Sequence, residues 1–302
     1  MMKIPSGWYA IAETHEVPTG KPLSLERFGT NLVLWRHDGE LVVMEDRCPH
    51  RSAKLSLGTT EKGCIVCPFH GFQFSDLGVC TYVPETKKPA PNLTVKTYPW
   101  RERHGMVFVK LGDDKNYEPP WYEELEGGFA YSTLTKTWEC HITRCIENQL
   151  DYAHLPFVHK NTIGGGTDPS RPVVFDLSAD AIKTYTNTEK AQGSFFQFKF
   201  PNIWLLSIVP GKFLLFLAFA PVNEQKTKLY LRTYQKFCTL PLLRNTIGWL
   251  AKAQNAYILS QDRRVVLSQL PNSVMDAEDE RLYPSDKGIA FFREEWRRRS
   301  QS

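Results

Sequence analysis

The 302-residue chain carries 37 Lys and Arg against 33 Asp and Glu, a formal net charge of +4. That excess is too mild to argue for a nucleic-acid partner, and 42% hydrophobic with 23% charged residues excludes a disordered or fibrous chain. The length suits one large domain or two modest ones, with ample capacity for a core. Seven cysteines, an odd number, follow a start, "MMKIPSGWYAIAE", that has no cationic leader and long apolar run. A disulfide scaffold is therefore not expected, and a reducing cytoplasm is, where clustered cysteines suggest metal.

The first third reads as strands. "NLVLWRHDGELVVMED" is two β-prone runs around Asp38-Gly39, a hairpin signal. "GCIVCPFHGFQF" and "GMVFVKLG" continue short strands with glycine punctuation. Residues 112–128, "GDDKNYEPPWYEELEGG", are polar and aperiodic, so a boundary is set there, dividing the chain into 1–115 and 116–302. Cys140 to Leu155 has helical spacing, and Leu155 before Pro156 favours an end or kink at that point. "NTIGGGTDPSRP" is loop.

Residues 171–238 then read as an antiparallel sheet from "VVFDL", "FFQFKF", "IWLLSIV", "FLLFLAFA" and "KLYLRTYQKF". The most apolar stretch, Ile203 to Val222, is broken by Pro210, Gly211 and Lys212, which makes it two buried strands and not a membrane span. Leu242 to Gln269 is the longest helical candidate. A last helix starts near Ser285 or Asp286, either a good N-cap. Its basic run "REEWRRR", Arg293 to Arg299, reads as a solvated helix face rather than a docking patch for an acidic partner. The second half is thus a sheet flanked by helices.

Two constellations carry chemistry. Cys48-x-His50 is followed, after sixteen residues, by Cys67-x2-His70. Two thiolates and two imidazoles can close a tetrahedral zinc site, and Cys64-x2-Cys67 also permits a zinc-ribbon half-site. Each pair, however, is one Cys plus one His after a hairpin-like strand. That arrangement fits a [2Fe–2S] cluster with both thiolates on one iron and both histidines on the other. In the second constellation, "NQLDYAHLPFVH", two histidines, an aspartate and an asparagine fall within twelve residues, Asn148 to His159. Non-haem iron oxygenases hold Fe(II) with two histidines and one carboxylate, and His154 and His159 supply the nitrogens. Five residues is poor spacing for one face of an unbroken helix, so Pro156 is expected to swing His159 round. Asp151, three residues before His154, is expected to meet it on one helix face and fix the ring. Asn148 sits one turn behind, beside the metal.

"CPHR…CPFHGF" resembles the Rieske motif, and Asn148, Asp151, His154 and His159 fill the mononuclear-iron motif of the Rieske non-haem iron oxygenases. The resemblance implies an α+β chain in which an N-terminal Rieske [2Fe–2S] β-sandwich precedes a helix-grip (START-like) catalytic domain with an antiparallel sheet. It implies a terminal oxygenase that takes electrons from NAD(P)H through a separate reductase, with or without a ferredoxin, since no flavin or nicotinamide motif is found. Fe(II) would activate O₂ beside a small organic substrate. The family's third ligand is an aspartate on a late helix, and "SQDRRVVLSQ" resembles that segment, giving Asp262. In the family the residue matching Asp151 bridges to a cluster histidine of a neighbouring subunit, which implies a homotrimer. The chain looks like the α-only group of vanillate demethylase, dicamba monooxygenase and pheophorbide a oxygenase, which favours monooxygenation over cis-dihydroxylation. A Rieske electron carrier with a non-catalytic ligand-binding domain is the alternative from another class, and the second metal site discriminates the two.

Overall fold

The computed structural model describes residues 2–113, 116–170, 172–185, 194–238 and 241–301. Two compact units divide it, Gly7–Pro119 and Pro120–Ser302, with Lys3–Ser6 belonging to the second. Lys115, at the boundary expected from sequence, and Arg171, in the expected glycine-rich loop, lie outside the described residues.

The first unit is all β. Its strands are β1 (Gly7–Glu13), β2 (Leu23–Arg27), β3 (Thr30–His37), β4 (Glu40–Glu45), β5 (Thr59–Glu61), β6 (Cys64–Val66), β7 (Gln73–Ser75), β8 (Val79–Val83), β9 (Lys88–Thr94), β10 (Trp100–Arg103) and β11 (Met106–Leu111). They form three antiparallel sheets, β1-β11-β10, β2-β3-β4 and β5 through β9. The hairpin between β3 and β4 turns on Asp38 and Gly39, both at positive φ (49° and 88°), as a two-residue turn of primed type requires. One buried cluster joins Val33, Trp35 and Met44 to Ile65, Phe74 and Cys80, and both Cys48 and Cys67 belong to it.

The second unit is a seven-stranded antiparallel sheet covered by helices. In chain order it comprises β12 (Ala130–Trp138), α1 (Ile142–Leu150), α2 (Leu155–Val158), β13 (Val174–Ser178), β14 (Ala181–Tyr185), β15 (Phe195–Lys199), β16 (Ile203–Val209), β17 (Phe213–Asn223), β18 (Lys226–Gln235), α3 (Pro241–Val266) and α4 (Lys287–Gln301). The sheet runs β12-β18-β17-β16-β15-β14-β13. The 26-residue α3 packs across β12 and β18, α1 against β17, and α4 against β13 and β14, which is the expected grip of sheet on helix.

Several local expectations give way. The helix expected from Cys140 to Leu155 ends at Leu150, because Asp151 adopts extended backbone (φ −81°, ψ 125°). Its Oδ1 then accepts the Ala153 N–H at 2.7 Å and turns the chain. Pro156 does not end a helix but sits in the first turn of α2, where its missing N–H costs nothing. Strands β12 and β14 escaped the sequence reading; β12 pairs only with β18, at the sheet's edge, and its polar "STLTKT" carries little hydrophobic pattern. The last helix begins at Lys287 after a 3₁₀ turn over Pro284–Asp286, in which Asp286 Oδ2 accepts the Tyr283 N–H at 2.8 Å.

The basic run at the C-terminus is not wholly a solvated face. Arg293 is buried, and its Nε and Nη2 donate to the two Glu147 oxygens at 2.6 and 3.0 Å. Nη2 also donates to Glu280 at 2.6 Å, and Arg144 Nη2 donates to the other Glu280 oxygen at 2.7 Å. This four-member ion cluster ties α1, whose C-terminal end carries Asn148, to α4.

Candidate metal centres

The two Cys-His loops of the first unit are built alike. Cys48 N–H donates to Ala53 O, and Cys67 N–H to Phe72 O, each at 2.8 Å. Ser52 N–H returns to Cys48 O at 2.9 Å, and Gly71 N–H to Cys67 O at 3.0 Å. The residue fourth after each cysteine is left-handed, Ser52 at φ 60° and Gly71 at φ 69°. Each loop thus tucks its cysteine into the core and leaves its histidine at the surface: Cys48 and Cys67 are buried, His50 and His70 exposed. The histidine rings lie 4.7 Å apart between centroids, and His50 stacks on Phe72. Burial first, and then the Cys67 thiol beside it, push the Cys48 thiol up to about 11. A bound cation would reverse that, since a coordinating thiol is deprotonated.

A single tetrahedral ion would draw all four donors to within roughly 4 Å of one another. Among the described residues, the only His, Cys, Asp and Glu group that converges within 4.8 Å is a different one. The Cys48 and Cys67 thiols lie beside one another, as do the His50 and His70 rings, which is the pairing of a two-iron cluster with both thiolates on one iron and both histidines on the other. Cys64 is not part of it: it lies in β6 with Sγ 3.4 Å from Thr81 Oγ1, and Cys80 is fully buried. All seven cysteines are free thiols. Asp46, which no sequence motif singled out, is buried below the first loop and accepts from Ser24 Oγ, Ser56 N–H and Ser56 Oγ at 3.0, 2.7 and 2.6 Å.

The converging group is His154, His159 and Asp262. His154 and His159 cap the two ends of α2, a single turn that carries both rings to one side, with centroids 5.3 Å apart. Gly164 lets the following loop close over this turn: its N–H reaches His159 O at 3.0 Å, and a Cβ there would lie 1.8 Å from Leu155 O. From α3, Asp262 Oδ1 lies 2.8 Å from His159 Nε2 and 3.5 Å from His154 Nε2. Asn148 Nδ2 donates to the same oxygen at 3.3 Å. The other nitrogen of His159, Nδ1, meets Gln261 Oε1 at 2.9 Å, and Thr162 Oγ1 donates to that oxygen at 3.1 Å. A ligand histidine held through its second nitrogen is the usual support for a metal site. Gln261 was not found from sequence, and only its place beside Asp262 could have hinted at it.

Electrostatics agree with a cation seat. Burial works against charge on His154, but the Asp151 and Asp262 carboxylates outweigh it and push His154 up to about 9. Burial likewise opposes charge on His159, yet Asp262 and Gln261 raise it, and burial of Asp262 is overcome by the two imidazoles, which hold its carboxyl below the usual range. Positive charge is wanted at this point. Two imidazoles and one carboxylate, with an amide at their edge, are the donor set of a mononuclear Fe(II) centre that keeps positions open. Asp151 stands outside the triad, with Oδ2 3.4 Å from His154 Nδ1 and its side chain partly exposed.

The triad forms one end of a cavity of about 510 Å³ between the sheet and α3. Phe196, Leu206 and Leu215 face it from directly opposed positions on β15, β16 and β17, and Trp204, Leu217 and Leu231 from β16, β17 and β18.

Residues 7–99 match the model of the Rieske [2Fe-2S] domain, and residues 138–202 that of the vanillate O-demethylase oxygenase C-terminal domain. The chain is 26% identical to the methylxanthine N1-demethylase NdmA of Pseudomonas putida over 269 residues, 83% of this chain and 75% of that one. It is 33% identical over 180 residues to a putative toluene-4-sulfonate monooxygenase system iron-sulfur subunit, TsaM2, of Comamonas testosteroni, which covers 57% of this chain and 51% of the relative. It spans about half or less of the length of the first curated relatives. The solved structure of Pseudomonas putida NdmA superposes with a TM-score of 0.81 at 25% identity, covering 95% of this chain and 88% of that one. Dicamba monooxygenase bound to dicamba shares the fold, at TM-score 0.81 and 20% identity over 98% of this chain and 97% of that one.

Proposed function

Because the chain belongs to the Rieske non-haem iron oxygenases, we propose that it is the terminal oxygenase of a multi-component system and monooxygenates a small organic substrate, by hydroxylation or oxidative demethylation. The observation that carries this reading is the convergence of His154, His159 and Asp262 at the end of a 510 Å³ cavity. Iron held by these three residues would supply the activation of O₂ beside the bound substrate. The chain's own residues do the rest. Gln261 fixes the tautomer of His159 through Nδ1. Asn148 holds the Asp262 oxygen in place, and Asp151 orients His154 from the side away from Asp262. The apolar walls exclude water from the reacting end.

Monooxygenation is supported by relatives that include a demethylase and two monooxygenase subunits, beside cholesterol 7-desaturases. A separate reductase delivering NAD(P)H electrons, with or without a ferredoxin, is supported by the description of two relatives as iron-sulfur subunits of a system. In this reading the chain works as a homotrimer in the cytoplasm, where seven free thiols persist. In the same reading the Rieske domain is residues 1–115 and the catalytic domain 116–302, a boundary close to the division between the compact units at Pro119 and Pro120. Among the described residues no helix is long and apolar enough to cross a membrane.

The test is a substrate screen that couples NAD(P)H oxidation to product mass, with iron and acid-labile sulfide measured on the same anaerobic preparation. The reading requires a cluster, a mononuclear iron and a product heavier by one oxygen or lighter by one methylene. A colourless protein holding zinc would overturn it. A red-brown protein without mononuclear iron would be an electron carrier.

A further inference from the structure

The lining of the cavity points to the class of molecule it takes, an inference that rests on the oxygenase reading. Among the described residues no Lys or Arg lines it. Its charge-bearing groups are His154, His159, Asp151 and Asp262, all at the triad end. A divalent cation there would be cancelled by the two carboxylates, so even that end presents no net positive charge. A carboxylate or sulfonate entering this space would lose its hydration and find no partner. Elsewhere the wall is mostly apolar, with Phe196, Leu217, Leu231 and Leu259 contributing, and Trp204 adds its ring and a buried Nε1–H without a partner among the described residues.

Of the uncharged polar residues that line the cavity, Asn148, Gln149, Tyr152, Ser194, Gln254 and Asn255, only Asn255 is buried. It lies on α3, is 9% exposed and lines the cavity. Its Nδ2 donates to Thr233 Oγ1 at 2.8 Å, which locks the amide and leaves its second N–H and its Oδ1 without a partner among the described residues. Asn255 precedes Asp262 by seven residues, which is two helical turns on the same face and roughly 10 Å of axial rise.

We propose that the cavity takes a neutral, mainly apolar molecule with one hydrogen-bonding oxygen or nitrogen roughly 10 Å from the carbon presented to the triad, and that Asn255 holds that atom. The volume suits a bicyclic or larger frame. Asn255 is a binding residue that sets specificity; it takes no part in bond breaking.

Three probes of one shape test the proposal: 6-methoxy-2-acetonaphthone (neutral, with an acceptor on the 2-substituent), 6-methoxy-2-naphthoate (anionic there) and 2-ethyl-6-methoxynaphthalene (neutral, with no acceptor there). Each is titrated calorimetrically into the anaerobic holoenzyme, whose iron content and reduced-cluster resonance are recorded first. The ketone should bind at least about tenfold more tightly than the naphthoate. Asn255→Leu should weaken the ketone about tenfold and leave the ethyl compound within about twofold, the loss of one hydrogen bond. Asn255→Asp keeps the shape and removes the donor, so it should weaken the ketone as well. Naphthoate binding as tight as the ketone's, ketone binding untouched by both variants, or no binding by any probe overturns the proposal. If the iron and the cluster signal are complete, that failure leaves the oxygenase reading standing. A preparation lacking mononuclear iron overturns that reading, and the proposal falls with it.

Discussion

Replacing Arg293 by Met tests whether the ion cluster behind α1 keeps the triad in register. Arg293 and Glu147 are 6% and 7% exposed, and their two hydrogen bonds are 2.6 and 3.0 Å long. Removing one partner of such a pair strands a buried charge, which costs about 3–5 kcal/mol. Arg144 Nη1 stays 3.6 Å from Glu147 Oε2 and offsets part of that, so the lower figure, about 3 kcal/mol, applies. For a domain of this size that is an apparent Tm lower by about 6–12 °C. The functional consequence follows from position. Glu147 directly precedes Asn148, and α1 ends one residue before Asp151, so a loosened α1 should lower mononuclear iron occupancy and leave the cluster resonance intact. The assay pairs calorimetry with iron analysis on one sample. A Glu147→Leu/Arg293→Met double variant supplies the control, because an apolar pair of similar volume is often neutral or better. Glu280 keeps Arg144 as its partner in that variant. A single substitution costing under about 1 kcal/mol, as a solvated ion pair would, refutes the reasoning. So does a double variant no more stable than the single.

Asp262→Ala should strip the mononuclear iron and leave the cluster's resonance unchanged; full iron and turnover would move the ligand role to Asp276 or Glu278. Asp151→Asn keeps an oxygen for the Ala153 N–H, so both metals and the assembled state should survive while turnover nearly stops, measured by iron content, gel filtration and single-turnover product. Burial holds His141 at about 4 against an ordinary 6.5, so the unfolded chain takes up a proton in that window and the native chain does not. Stability is therefore full above about 6.5 and falls by roughly 3 kcal/mol as pH drops toward 4. His141→Asn retains an acceptor for the Thr143 N–H at the start of α1, and denaturant titrations should show a flatter slope across that window.

Spacing made much of the fold readable. The Asp38-Gly39 hairpin and the paired strands β16 and β17 around Pro210 and Gly211 are local, and their turn residues leave few alternatives. Edge strand β12 was not readable, because with one sheet neighbour and a half-exposed surface it needs no hydrophobic alternation. The end of α1 was missed for a related reason. Asp151 bends the chain through a side-chain bond to Ala153, whereas the sequence drew the eye to Pro156, which starts a turn. Arg293 looked like surface charge because its neighbours do; its burial depends on Glu147, 146 residues away.

The site divides along the same line. Cys48, His50, Cys67 and His70 are legible as two loops because each loop's bonds close within six residues, and His154 and His159 because a single turn joins them. Asp262 is not legible that way. It stands 103 residues from His159, on a helix whose exposed face carries Arg263 and Arg264 beside it, and only the family likeness singled it out. The aromatic residues show why resemblance could not extend to the pocket. Phe198 and Phe216 turn into core against Phe292 and Trp121, while Phe196 and Phe213 line the cavity, and alternation along a strand cannot tell a face under α3 from one under other helices. One helix settles both questions at once. Because α3 crosses the sheet, it carries Asp262 to the histidines at one level and Asn255 into the cavity two turns earlier, so in the proposed reading the metal and the far end of the substrate would be gauged against one rigid rod. Rigid elements hold such distances better than loops do.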